Sequence, residues 1–323
     1  VQGRIGKNLD NPLESGFELA VGRQQERMAK MQLTMENSRF RVAVEMLGAE
    51  LASILDKGTG REYLWQGDPA VWPHKAPVLF PVCGPLLGDR VEMDGQEYQM
   101  PRGGFALRLR HKLVCQDKGL ICLRLESTPE SEAIYPWRFA VKTTYALKGN
   151  HISCRMKVLN YDRKTMYFQC GFLTAFNCPF VSGTTQADYG LRLEQLEALT
   201  VQEQDDKGFL TRNTQMWEPE DGVIFLDSGK LDSGLVIREP TSQYFQFSCK
   251  KSGEYVRLYT REAPFVYLRA APAGERRFLC MGSWHGAPDL ADASASWEKK
   301  ENVISLGAME EYYAHQTIEI GSV

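Results

Sequence analysis

Phe139-Ala-Val-Lys-Thr-Thr-Tyr145, the turn Lys148-Gly-Asn150 and His151-Ile-Ser-Cys-Arg-Met-Lys-Val158 form one continuous stretch of the chain. Alternating apolar and polar residues, rich in β-branched and aromatic types, flank a Gly-Asn turn, which is the signature of an antiparallel hairpin. The pattern recurs toward the N-terminus in Leu33–Met35, Phe40–Val44, Ala49–Ile54, Arg90–Met93 and Leu120–Leu125, with turns at Asp56–Gly60 and Asp94-Gly95. Phe105–Val114 also reads as a strand. Toward the C-terminus it recurs in Gly222–Phe225, Gly234–Ile237, Tyr244–Cys249, Tyr255–Tyr259, Phe265–Leu268, Phe278–Cys280 and Tyr312–Ile320. Many short strands with few helical stretches between them predict an all-β, mainly antiparallel sandwich rather than a parallel α/β sheet. Leu191–Ala198 is compatible with a helix or with a strand and turn.

The chain has 323 residues, enough for two average domains or one large β domain. No Pro/Ser-rich linker divides it, so a single domain is expected over 32–323. Residues 1–31 are polar and rich in Gly, Asn, Gln and Arg; they read as an N-terminal extension with a short helix over Glu18–Met31. A hydrophobic share of 43% with 24% charged residues describes an ordinary globular protein, and no apolar run approaches the ~20 residues that span a bilayer. The 38 basic and 41 acidic residues are scattered and sum to −3, which argues against nucleic acid as a partner. The eight cysteines lack any CxxC pair, so zinc and thioredoxin-like readings fail on spacing, and buried reduced thiols are expected. A reducing cytoplasm is the simplest compartment.

Several motifs, in order, resemble the aldose 1-epimerase (galactose mutarotase) superfamily, specifically its LacX-like branch. They are Leu47-Gly-Ala-Glu-Leu51 with Glu62-Tyr-Leu-Trp65-Gln-Gly-Asp68, then Trp72 with Ala76-Pro-Val-Leu-Phe-Pro-Val-Cys-Gly84. Met100-Pro-Arg-Gly-Gly-Phe-Ala106, Ala175-Phe-Asn-Cys-Pro179 and Cys280-Met-Gly-Ser-Trp-His-Gly-Ala-Pro-Asp289 complete the set. The resemblance runs from about residue 32 to the C-terminus and implies a galactose mutarotase-like β-supersandwich with a ligand cleft across one sheet. It also implies a small-molecule sugar or sugar derivative as ligand and a chemistry that needs no cofactor or metal.

Opening a cyclic aldose takes a base to remove the anomeric hydroxyl proton and an acid to protonate the ring oxygen; Glu and His suit these roles, with Arg and His donors orienting the sugar. By the resemblance, the family's Arg falls on Pro85, one His on Gly103, the acid His on Leu173 and the base Glu on Gly282. None of the four substitutes ionises. Trp65, Phe105, Phe176, Asn177 and Trp284 are retained, and they are residue types that hold sugars through ring faces and amide hydrogen bonds. Among groups that could replace the lost acid and base, His285, His74 and Asp221 are the candidates, followed by Asp227 and Asp289. In an extended strand His285 and Gly282 point to opposite faces, so His285 reaches the cleft only through a bend. The expected function is carbohydrate binding on an aldose 1-epimerase-like scaffold without normal mutarotase activity. The alternatives are an isomerase with relocated acid and base, and an interaction protein whose cleft is filled by its own side chains or by the N-terminal extension.

Overall fold

The computed structural model describes residues 31–226, 229–271 and 278–323; the helix expected over Glu18–Met31 lies almost entirely outside them. Two large sheets dominate. One has nine strands and contains the hairpin Phe139–Lys148 and His151–Asn160, paired from Phe139↔Asn160 to Lys148↔His151, as the alternating pattern requires. In the other, seven strands run in the order Leu210–Trp217, Leu199–Gln204, Leu235–Arg238, Phe265–Ala270, Phe278–His285, Cys170–Asn177 and Val78–Leu79. A four-stranded sheet begins the described chain, Gln32–Glu36 through Arg61–Glu62, and antiparallel pairing links every neighbour in these sheets. The fold is therefore the mainly antiparallel β-supersandwich expected from the sequence.

Thr174, Ser283 and His285 on one face of the seven-stranded sheet meet the long strand Glu311–Ser322 of the nine-stranded sheet. Gln316 donates to Thr174 Oγ1 at 3.0 Å, and His285 Nδ1 lies 2.7 Å from the Tyr312 hydroxyl. Phe80, Phe105, Tyr135, Phe139 and Phe168 pack nearby as a ring cluster with centroid separations of 5.1–6.0 Å. Each ring removes a large apolar area from water, and the tilted and edge-on geometries suit their quadrupoles.

One local expectation changes. Phe105–Val114 is not one strand: Ala106–Arg108 forms a short 3-10 turn, and the strand begins at Lys112. The cause lies in Gly103 and Gly104, both at positive φ; a Cβ on Gly104 would sit 2.0 Å from the Phe80 carbonyl oxygen. That close approach pins the loop to Phe80 and buries Phe105 and Ala106, whose neighbours therefore cannot extend. Leu191–Ala198, left open above, resolves as the end of the strand Tyr189–Leu193 and a turn. All eight cysteines are free, and seven are buried as expected; Cys115 is exposed, on a strand whose residues all face solvent. No helix among the described residues is long and apolar enough to cross a membrane.

Candidate functional site

The strand Phe278–His285 is buried along its whole length, so both of its faces are covered. One packs in the sandwich interior. Pairing aligns the other face in rows across neighbouring strands. Gly171, Trp284 and Phe265 form one row; Leu173, Gly282 and Tyr267 the next; Ala175, Cys280 and Arg269 the third. Above these rows lies a cavity of about 480 Å³, within the range of small-molecule sites. Leu79, Leu173, Cys280 and Trp284 line its floor, and Trp72, His74, Gly103 and Arg108 belong to loops that wall it.

The acid and base positions implied by the resemblance are thus direct cross-strand partners, Leu173 opposite Gly282. Trp284 closes over them. Its ring stacks flat on Tyr267, with centroids 4.4 Å apart and planes 7° from parallel. A Cβ on Gly282 would lie 2.8 Å from Trp284 Nε1, and one on Gly171 would lie 3.1 Å from Trp284 Cδ1. Two missing side chains give the indole its bed. Gly103, at positive φ, is walled by Leu107 and Leu79, at 2.9 and 3.3 Å from a Cβ placed there. Pro85 does not line the cavity; its carbonyl accepts from the Asp289 N–H at 3.1 Å.

Of the retained residues, only Trp284 lines the cavity. Trp65 is buried one layer below, donating from Nε1 to the Trp72 carbonyl at 2.8 Å and packing on Phe278 at 5.1 Å, so it props up the Trp72 wall. Phe105 belongs to the ring cluster and Phe176 to the main core. The Asn177 amide donates to the Glu62 and Leu64 carbonyls, both at 2.9 Å, which ties two chain segments together and leaves its nitrogen engaged.

The substitute candidates separate. His74 lines the cavity, its ring 5.9 Å from Trp72, and burial with the nearby Arg108 charge holds its pKa below the ordinary imidazole value. His285 makes no bend toward the cleft: it faces Tyr312 in the interior, and burial, then His315, pushes its pKa down to about 4. Asp221 is exposed in the turn before Val223–Phe225, an edge strand of the other large sheet, and does not line the cavity. Asp227 lies outside the described residues. Asp289 forms a buried ion pair with Lys300 at 2.6 Å and accepts from the Leu87 N–H at 2.9 Å, a structural arrangement.

Sequence reasoning missed Tyr267, Arg269, Arg102 and Arg108, all of which line the cavity. Arg102 stands inside a motif quoted above, and Tyr267 and Arg269 share a period-two face. Only the register Tyr267↔Gly282 and Arg269↔Cys280 reveals that this face is the cleft face. Burial raises the Tyr267 phenol pKa against the pull of Arg269 and Arg102, and burial raises that of Cys280, so both stay protonated at neutral pH. Among the described residues no group of three or more His, Cys, Asp or Glu could hold a metal ion.

An antiparallel supersandwich with a cavity over one sheet defines a galactose mutarotase-like β protein. The aldose 1-epimerase family model matches residues 31–301, and the chain belongs to that family. Protein LacX from Lactococcus lactis subsp. lactis, in its plasmid form, is 28% identical over 291 residues, covering 85% of this chain and 95% of LacX. A galactose mutarotase related enzyme from Lactobacillus acidophilus superposes with a TM-score of 0.86 at 26% identity, over 90% of this chain and 98% of that one. A galactose mutarotase-like protein from Lactobacillus casei ATCC 334 gives 0.83 at 24% identity, over 90% and 100%, and supports the fold.

Proposed function

We propose that this chain binds a carbohydrate in the Trp284 cavity and does not accelerate anomer exchange. The observation that carries this reading is the Leu173–Gly282 pair under the stacked Trp284 and Tyr267. Where the family chemistry calls for an acid and a base facing each other across the sugar, two non-ionisable residues face each other, and an indole takes the space. Proton transfer from positioned groups is worth roughly 10²–10⁴-fold each, so losing both leaves little beyond the spontaneous reaction. What remains suits binding: a flat aromatic wall for C–H faces, and the guanidinium N–H groups of the lining arginines for hydroxyls. Saturation-transfer NMR with galactose and glucose tests the site: ring-proton signals that vanish in Trp284→Ala are expected, and equal signals from the variant would place binding elsewhere.

One observation favours an active isomerase instead: His74 lines the cavity and is held toward its neutral form. In that reading His74 serves as the base, and His74→Ala reduces a measurable exchange rate to the spontaneous one. Under the binding reading, the wild type and His74→Ala show the same rate.

A further inference from the structure

The cavity's charge is one-sided. Arg102, Arg108 and Arg269 line it together with His74, and among the described residues no Asp or Glu lines it. None of the three guanidiniums has a carboxylate partner among the described ion pairs, although the pairs elsewhere engage Arg39, Arg41, Arg61, Arg90, Arg124, Arg212 and Arg257. Arg108 instead donates to the carbonyls of Gly104 and Arg102, which fixes it on the loop that forms the rim. Arg269 stands two residues from Tyr267 on the same face of its strand, and its Nε is buried with no hydrogen-bond partner among the described residues. Burying a cationic donor unpaired is costly, so the Arg269 end of the cavity is short of an acceptor. Neutral sugar hydroxyls satisfy hydrogen bonds but leave the half-buried Arg269 charge without a counter-charge, and the exposed Arg102 and Arg108 add to the positive field at the same cavity. A carboxylate or phosphate supplies both acceptors and charge, and guanidinium is the side chain whose fork matches either group.

We infer that the ligand is an anionic sugar, a hexose bearing a carboxylate or phosphate, whose ring lies on Trp284 and whose acidic group is taken by Arg269 and the rim arginines. This rests on the sugar-site reading above and narrows it to one substrate class.

Isothermal titration on the full chain with galactose, galacturonate, galactose 6-phosphate and inorganic phosphate separates the possibilities. The first three share a ring and differ at C6. The expected result is that at least one acidic sugar binds roughly tenfold or more tighter than galactose and than inorganic phosphate, weakens as salt is raised, and loses roughly 10- to 100-fold in Arg269→Gln. Arg102→Gln alters an exposed side chain that the fold does not need, so a loss there reports binding even where Arg269→Gln folds poorly. The tighter of the two acidic sugars identifies the group as carboxylate or phosphate. Equal binding of all three sugars would overturn the anionic preference and leave the sugar site standing. Inorganic phosphate binding as tightly as the acidic sugars would show an anion site with no sugar recognition, and no binding by any probe would overturn both readings.

Discussion

Trp284 lies flat over the sheet because positions 171 and 282 carry no side chain, so the absence of a side chain at 282 is coupled to this ring. A carboxylate placed at 282 meets the indole. Gly282→Glu is expected to destabilise the fold by about 1–3 kcal/mol through overpacking against the indole. The same substitution in a Trp284→Ala background should cost distinctly less, and urea unfolding of the four chains checks the coupling. Glu50 is a second residue whose surroundings speak. It accepts from the N–H groups of Lys75 and Ala76 at 2.6 and 2.8 Å, anchoring the segment that leads from His74 into the sheet. Burial nonetheless pushes its pKa up to about 7 from an ordinary 4.5. The folded state then binds a proton that the unfolded state has released, so this group's stabilising contribution is complete below about pH 4.5 and is lost as pH rises through 7. Glu50→Gln should remove that downward slope, worth about 1–3 kcal/mol between pH 5 and 8, in urea midpoints measured against pH.

At the scale of elements, the strand Cys170–Asn177 connects core and site. Phe172 and Thr174 face the interior while Gly171 and Leu173 face the cleft, and its last residue holds the neighbouring sheet through the Asn177 amide. Asn177→Ala leaves two carbonyls short of a donor and should cost about 1–3 kcal/mol of stability, with ligand affinity unchanged within about twofold. A large affinity loss without a stability loss would return Asn177 to the ligand shell. The wall formed by Trp72 depends similarly on Trp65 beneath it. Much of this was legible. The hairpin alternation around Gly149-Asn150 yields the observed register, and the period-two rule places His285 on the face opposite Gly282. What could not be read was which retained aromatic faces the ligand. Trp65, Phe105, Phe176 and Trp284 are equally apolar in sequence, and only cross-strand register and loop path separate a cavity wall from a core ring. Arg269 was hidden for the same reason, since strand pairing between distant segments sets its neighbours.

For the molecule as a whole, the buried histidines set the acid limit. Burial holds His285 and His111 neutral, each with a pKa near 4 against an ordinary 6.5. The unfolded chain binds protons at these positions from about pH 6.5 downward while the folded chain resists until about 4, so their contribution to stability is lost as pH falls through that window. Glu50 opposes this with one proton of the other sign, which leaves net weakening on the acid side. A stability profile that stayed flat from pH 6.5 to 4.5 would contradict the burial of these imidazoles. Charge is also unevenly placed at the cleft: the positions that the resemblance gives to the acid and base hold Leu173 and Gly282, and Arg102, Arg108 and Arg269 line the cavity. The central claim is that the scaffold has kept a sugar site and lost the means to open the ring. It is tested most directly by NMR anomer exchange on freshly dissolved galactose and glucose, with the spontaneous rate at the same pH as reference. Exchange at the spontaneous rate, with ligand signals showing contact with the protein, is the predicted result; acceleration proportional to protein concentration would contradict it.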